Sequence, residues 1–268
     1  MIIIPDIHGR TFWKDAVKER KPGEKIIFLG DYLDPYPYEW ENGQDPEFEY
    51  PIDSEAQFDI FKHVWDNFEE IIGFKKSNGK DVVLLLGNHD LHYAIDAVED
   101  GSRYDYIHAQ KIKKKFVDNK PLFQLAHEET VGGKRFIFSH AGIHKLWVED
   151  WFGPVVTDEN IVDYLNNAYL VNDGSLGRAL NQYSAYRGGY ESYGSMVWSD
   201  IREWYSDSLS KSDYGDVQVF GHTQLKDSPI NFDYAYYDLD VRRAFRINDA
   251  GKVCEMDGTV VPKTEKKR

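Results

Sequence analysis

The chain has 268 residues, 41% hydrophobic and 15% aromatic, with a formal net charge of -14. This composition supports a sizeable core and excludes a disordered acidic chain, while the negative charge argues against a face for long nucleic acid. Cys254 is the only cysteine, which excludes an internal disulfide and a thiolate metal centre, so any metal must be held by oxygen and nitrogen. No apolar run approaches the roughly 18 residues of a membrane span, and the apolar N-terminus is too short for a signal segment, so no membrane partner and a cytoplasmic location are expected.

Met1 to Pro5 reads as a buried strand that delivers Asp6 and His8 into a turn at Gly9. If the backbone stays extended through Asp6, a period of two puts both side chains on one side, where carboxylate and imidazole can meet one ion. Alone, the pair serves equally as a helix cap and turn. Thr11 can cap a helix over 12–19, and a second strand over 25–29 ends in Gly30-Asp31-Tyr32-Leu33-Asp34-Pro35. Residues 35–53, rich in Pro, Glu and aromatics without periodicity, read as an inserted acidic aromatic loop.

Apolar residues from Phe58 to Ile72 recur at helical spacing, predicting an amphipathic helix over 54–72 capped by Asp53 or Ser54. A third strand over 81–86 then ends in Gly87-Asn88-His89-Asp90. Strands separated by helices predict a parallel, βαβ-type core. A helix over 104–118 carries Lys111, Lys113, Lys114 and Lys115, read as a solvated face, and 123–131 with 135–138 read as a hairpin ending in Ser139-His140-Ala141-Gly142. Helices near 158–171 and 174–184 follow. Strand 217–220 ends in Gly221-His222-Thr223; further strands fit 234–239, 242–247 and 252–260 before a charged tail at 263–268. No linker or repeat divides the chain, so residues 1–268 are expected to form one domain.

Five strand ends therefore carry polar cargo: Asp6 with His8, Asp31 with Asp34, Asn88 with His89, then His140 and His222. Loops beyond strand C-termini gather at one crevice in open sheets, so these residues can converge. Their oxygens and imidazoles suit Mn, Fe or Zn and suit calcium poorly. Any one of them alone reads as readily as a turn former or a hydrogen-bonded structural His.

In order and spacing, Asp6-Ile7-His8-Gly9, Gly30-Asp31-Tyr32-Leu33-Asp34, Gly87-Asn88-His89-Asp90, Ser139-His140-Ala141-Gly142 and Gly221-His222 resemble the calcineurin-like metallophosphoesterases. The likeness is greatest to the serine/threonine phosphoprotein phosphatase branch, with a weaker match at Trp198-Ser199-Asp200. The resemblance implies a four-layer α/β/β/α sandwich with two mixed sheets. It implies that Asp6 and His8 bind a first metal, Asp31 bridges to a second, and Asn88, His140 and His222 complete the second site. His89 would protonate the leaving oxygen, with Asp34 holding its ring. Two divalent ions, Mn first with Fe or Zn as alternatives, would lower the pKa of a bridging water, and the resulting hydroxide would attack phosphorus directly.

Two departures bear on substrate. The phosphatase branch follows its Gly-Asp-x-x-Asp with Arg-Gly, whereas Pro35-Tyr36 stands here, so a phosphate-clamping arginine is missing from that loop. Arg187, in Arg-Gly-Gly, is the candidate substitute, while Arg10 and Arg103 follow metal motifs more closely and can equally be structural. Gln224 stands near His222 where nuclease and diesterase branches place another ligand His, which tilts the reading toward phosphatase. The expected activity is a phosphomonoesterase acting on a phosphoprotein, a small monoester or a nucleotide. The alternatives are a dinucleoside tetraphosphatase or nucleotide phosphodiesterase, and, outside enzymes, a degenerate scaffold that binds a protein. Oligomeric state is not legible.

Overall fold

Three apolar runs, β1 (Ile2–Ile4), β2 (Ile26–Phe28) and β3 (Val82–Leu85), lie parallel and in sequence order in the computed structural model of the chain. The described residues are 1–36, 54–205 and 212–264. Short β4 (Phe123–Gln124) extends this sheet beside β3, while β10 (Phe245–Ile247) and β11 (Val253–Glu255) add antiparallel strands at the β1 edge. A second mixed sheet runs β5 (His127–Val131), β6 (Lys134–Phe138), β7 (Val217–Phe220), β9 (Tyr236–Asp238) and β8 (Ile230–Phe232).

Strand alternation explains the layers. Ile3, Ile27, Val83 and Leu85 face one way and form a buried cluster with Phe136, Phe138, Val217 and Val219 of the second sheet. Their neighbours Ile2, Ile4, Ile26, Phe28, Val82 and Leu84 face the other way, against Val64, Phe68 and Ile71 of the helix Ser54–Asn78 and Ile112 and Phe116 of the helix Ala109–Asn119. Ile137 points outward from the second sheet to meet Trp147 and Val148 of the helix Lys145–Phe152. The result is the α/β/β/α sandwich with two mixed sheets. Each aliphatic residue sealed between layers adds about 1.5–3 kcal/mol of burial free energy.

Several local expectations are corrected. The predicted strand over 123–131 is two strands in different sheets, because Asn166 takes the Leu125 and Ala126 amides at 2.9 and 3.2 Å and returns a bond to the Ala126 carbonyl, turning the chain between sheets. The first helix spans Trp13–Lys18 with no side-chain cap, so Thr11 does not cap it. The helix expected over 104–118 starts at Ala109, since the Asp105 carboxylate accepts from the amides of Ile107 and His108 and holds that stretch in a turn. The helix beginning at Ser54 continues past Ile72 to Asn78. The helices expected over 158–171 and 174–184 are shorter, Ile161–Leu170 and Gly174–Leu180. Helix Lys145–Phe152 and β8 had no sequence expectation.

Residues 37–53 of the expected loop, the Asp53 cap and residues 265–268 of the tail lie outside the described residues. The lysine face is a salt-bridged surface, with Lys114 on Asp118 at 2.7 Å, Lys115 on Glu69 and Lys111 over the Trp65 ring. No helix among the described residues is long and apolar enough to cross a membrane.

Candidate functional site

Asp6 and His8 lie beyond β1, Asp31 and Asp34 beyond β2, Asn88 and His89 beyond β3, His140 beyond β6 and His222 beyond β7, and all are buried. The backbone leaves the extended region at His8, so strand alternation is not what brings its side chain beside Asp6. His8 has φ 44°, Asp31 53°, Asp34 51° and His222 69°, so each side chain is aimed by a left-handed residue and not by strand alternation. Such non-glycine conformations cost on the order of 1–3 kcal/mol each and persist where surrounding contacts impose them. Here the His8 amide is tied to the Asp31 carbonyl at 2.6 Å, and the Asp31 and Tyr32 amides to the Asp90 carboxylate at 2.7 and 3.0 Å.

Glycines make the close approach. A Cβ on Gly87 would overlap the Asp31 carboxylate and come within 2.7 Å of the His140 ring, and one on Gly221 would overlap Asp6. Only glycine leaves space for those side chains at these two positions.

Two sets of ligand atoms converge, Asp6, His8 and Asp31 in one and Asp31, His140 and His222 in the other, each set mutually within 4.8 Å. Asp31 belongs to both. The second set also contains the Asn88 amide oxygen, 2.9 Å from His140 Nε2, which lies 3.1 Å from His222 Nδ1. His140 Nδ1 contacts the Leu29 carbonyl at 2.9 Å and His8 Nδ1 the Leu33 carbonyl at 2.8 Å. A carbonyl only accepts, so in both rings Nδ1 carries the proton and Nε2 turns a lone pair toward Asp31, at 3.5 Å from His140 and 3.4 Å from His8. Carboxylate, amide oxygen and imidazole lone pairs thus face one another with few protons between them, and His222 Nε2 is buried without a partner. These donors fit divalent cations of the Mn, Fe or Zn type.

The electrostatics agree. Burial raises the Asp6 carboxyl from 3.8 to about 6, and the Asp31 charge adds to that rise. Burial, then the charges of nearby Arg103 and Arg10, hold His8 well below the usual imidazole range, while burial and Arg187 do the same for His222. Both imidazoles are therefore kept in the neutral form a metal needs.

A third group lies at the side of the crevice. His89 Nδ1 donates to Asp34 Oδ2 at 2.9 Å, Tyr93 Oη donates to Asp34 Oδ1 at 2.7 Å, and His92 Nε2 is 2.8 Å from Asp34 Oδ2. The Gly101 amide donates to His92 Nδ1, so the His92 proton sits on Nε2, close to Asp34 but outside good hydrogen-bond geometry. Although Asp34, His89 and His92 are close enough to suggest a metal site, the Asp34 carboxylate already accepts from His89 Nδ1 and Tyr93 Oη, and the ring nitrogens facing it carry protons. Burial pushes the Asp34 carboxyl up, but the His89 hydrogen bond and the nearby His92 N–H outweigh it and the net displacement is downward.

Every predicted metal-site residue lies in the crevice, and so does the His89–Asp34 pair. Among the arginines, Arg187 pairs with Asp200 at 3.0 Å and donates to Thr223 Oγ1 at 2.9 Å. Arg10 donates to the Asp6 carbonyl at 3.2 Å and lies 5.5 Å from the Tyr36 ring. Sequence reasoning missed His92 and Tyr93, which their i+3 and i+4 spacing from His89 on a helix would have indicated. It also missed Asp240, just beyond β9, whose buried carboxyl is raised by burial and then by Asp6, with Oδ1 unpartnered.

The calcineurin-like phosphoesterase family profile matches residues 2–241. No curated protein matches the chain. Among solved structures, a cold-active protein-tyrosine phosphatase of a psychrophilic Shewanella species is similar at 14% identity and TM-score 0.42, covering 94% of this chain and 78% of that one. A protein serine/threonine phosphatase from Saccharomyces cerevisiae, described as similar to human phosphatase PP5, aligns at 13% identity and TM-score 0.46, covering 100% and 80%.

Proposed function

Because the chain belongs to the calcineurin-like phosphoesterase family, we propose that it is a metal-dependent phosphatase that hydrolyses phosphomonoesters at a two-ion centre whose shared ligand is Asp31. Asp6 and His8 would hold one ion, while Asn88, His140 and His222 would hold the other. The observation that carries this reading is the membership of Asp31 in both converging ligand sets. When bound, two divalent ions, Mn foremost, supply an activated water and neutralise phosphoryl oxygens.

The chain's own residues do the rest. The Leu33 and Leu29 carbonyls fix the His8 and His140 tautomers so that their Nε2 lone pairs face Asp31, where the ions would bind. The His89 amide donates to Asp31 Oδ1 at 2.9 Å, holding the shared carboxylate in one orientation. His89, oriented through Nδ1 by Asp34, presents Nε2 to the oxygen that leaves, and Asp34 stabilises the ring when it is protonated. Arg187 beside His222 and Arg10 beside Asp6 add positive potential around the phosphoryl group.

A cavity of about 410 Å³ adjoins this site through Asp34 and Arg103, with Phe61, Tyr104 and Tyr106 in its walls. It provides room for a group larger than phosphate, which favours an aryl, peptidyl or nucleoside leaving group. The test is an activity panel with added Mn: phosphopeptide, aryl monoester, aryl diester and dinucleoside tetraphosphate. Monoester hydrolysis abolished by a chelator is expected. Cleavage confined to the diester or the tetraphosphate would replace this reading with one of those activities.

A further inference from the structure

Pro35 and Tyr36 occupy the place where the sequence lacks a clamping arginine, and Tyr36 gathers two arginines from elsewhere. The Arg103 guanidinium stacks on the Tyr36 ring at 3.9 Å, Arg10 lies 5.5 Å from the same ring, and His8 meets its edge at 5.0 Å. Arg103 also donates through Nε to the Asp34 carbonyl at 3.0 Å, and its Nη2 lies 3.0 Å from His89 Nε2. It belongs to a loop outside the metal motifs, yet with φ 61° it shares the left-handed backbone of His8, Asp31, Asp34 and His222. A strained residue whose side chain ends at the working nitrogen of a proposed acid is held there by its surroundings.

We propose that Arg103 is the arginine that grips the phosphoryl group, exchanging His89 Nε2 for a phosphoryl oxygen when substrate enters. This rests on the phosphomonoesterase reading above.

The chemistry favours the exchange. With His89 Nδ1–H donated to Asp34, Nε2 is an acceptor and takes an Nη2–H from Arg103. A neutral imidazole is a weaker partner for guanidinium than a phosphoryl dianion, which accepts two parallel bonds from the fork. Leaving His89 for phosphate uncovers Nε2, which then takes a proton from solvent, the imidazolium being stabilised by Asp34, and gives that proton to the departing oxygen. The Nε bond to Asp34 and the Tyr36 face can stay in place during this short movement, and the cavity that Arg103 lines gives it room. Arg187 is less suited, since its charge is already paired with Asp200 at 3.0 Å and its Nη2 donates to Thr223.

A clamp on non-bridging oxygens recognises the dianion of a monoester more than the single charge of a diester. The test uses the full Mn-loaded chain with Arg103→Ala and Arg103→Lys. It measures inorganic phosphate binding by calorimetry, kcat/KM for an aryl monoester and an aryl diester, metal content and Tm. In Arg103→Ala, phosphate affinity and monoester kcat/KM should fall about 10- to 100-fold, the diester much less, with metal content unchanged. Arg103→Lys, which keeps charge but loses the fork, should fall between. Phosphate affinity within about twofold of wild type, or equal losses on both esters, would overturn the proposal. If wild type cleaves no ester, the monoesterase reading fails separately. Phosphate bound tightly by wild type and weakly by Arg103→Ala would still support Arg103 as an anion clamp.

Discussion

His89 donates through Nδ1 to Asp34 Oδ2 at 2.9 Å, and the two side chains are only 7% and 1% exposed. Asp34 accepts from Tyr93 as well and faces the His92 Nε2 proton, so its carboxylate is surrounded by donors. Asp34→Asn puts an amide N–H against those donors. We expect kcat on alkyl phosphates to fall about 100-fold and stability by about 1–3 kcal/mol, with metal content unchanged. Steady-state kinetics and metal analysis of the same preparation check this.

Removing the acid itself discriminates more sharply. His89→Asn should slow alkyl phosphates far more than activated aryl phosphates, whose leaving oxygens need no proton. The log kcat plotted against leaving-group pKa should become steeper; an equal loss across the series would contradict the acid role.

Gly87 tests the packing that brings the ligands together. The Cβ added by Gly87→Ala overlaps Asp31 and crowds His140, so the variant should fold but retain less than about one metal per chain. Full metal retention would show that Asp31 and His140 do not need their present positions.

The pH dependence follows from Asp6. Burial raises its carboxyl from 3.8 to about 6 in the metal-free chain, so the folded state binds this proton more tightly than the unfolded one. That contribution favours the metal-free fold below 3.8 and is lost as pH rises through about 6. An ion must expel the proton, so the Tm increase on adding Mn should be larger at pH 7 than at pH 5, with roughly 1.4 kcal/mol of binding lost per pH unit below the carboxyl's pKa. A Mn-induced shift independent of pH would remove Asp6 from the ligand set.

Much of this site was legible because its residues sit where buried strands end, and such ends are conspicuous in sequence as apolar runs meeting Gly, Asp, Asn or His. The apolar run at 82–86 followed by Gly87-Asn88-His89 is the plainest example. What alternation could not give was aim: His8 and Asp31 reach the site through left-handed backbone, imposed by tertiary bonds such as the His8 amide to the Asp31 carbonyl. Arg103 was ambiguous for the same reason, since its partners Tyr36, Asp34 and His89 are fixed by loop packing and not by spacing. The sheets were partly legible. β1, β2 and β3 announced themselves as apolar runs, whereas the division between β4 and β5 depends on Asn166, about 40 residues away, whose amide turns the chain at Leu125 and Ala126.

The central claim is that Asp31 is shared between two ions. Metal analysis of the chain purified with Mn, beside Asp31→Asn, tests it most directly. About two equivalents per wild-type chain and loss of both in Asp31→Asn are predicted, since removing the shared carboxylate weakens each site. Fewer than about one equivalent in wild type, or one ion lost and one retained in Asp31→Asn, would contradict it.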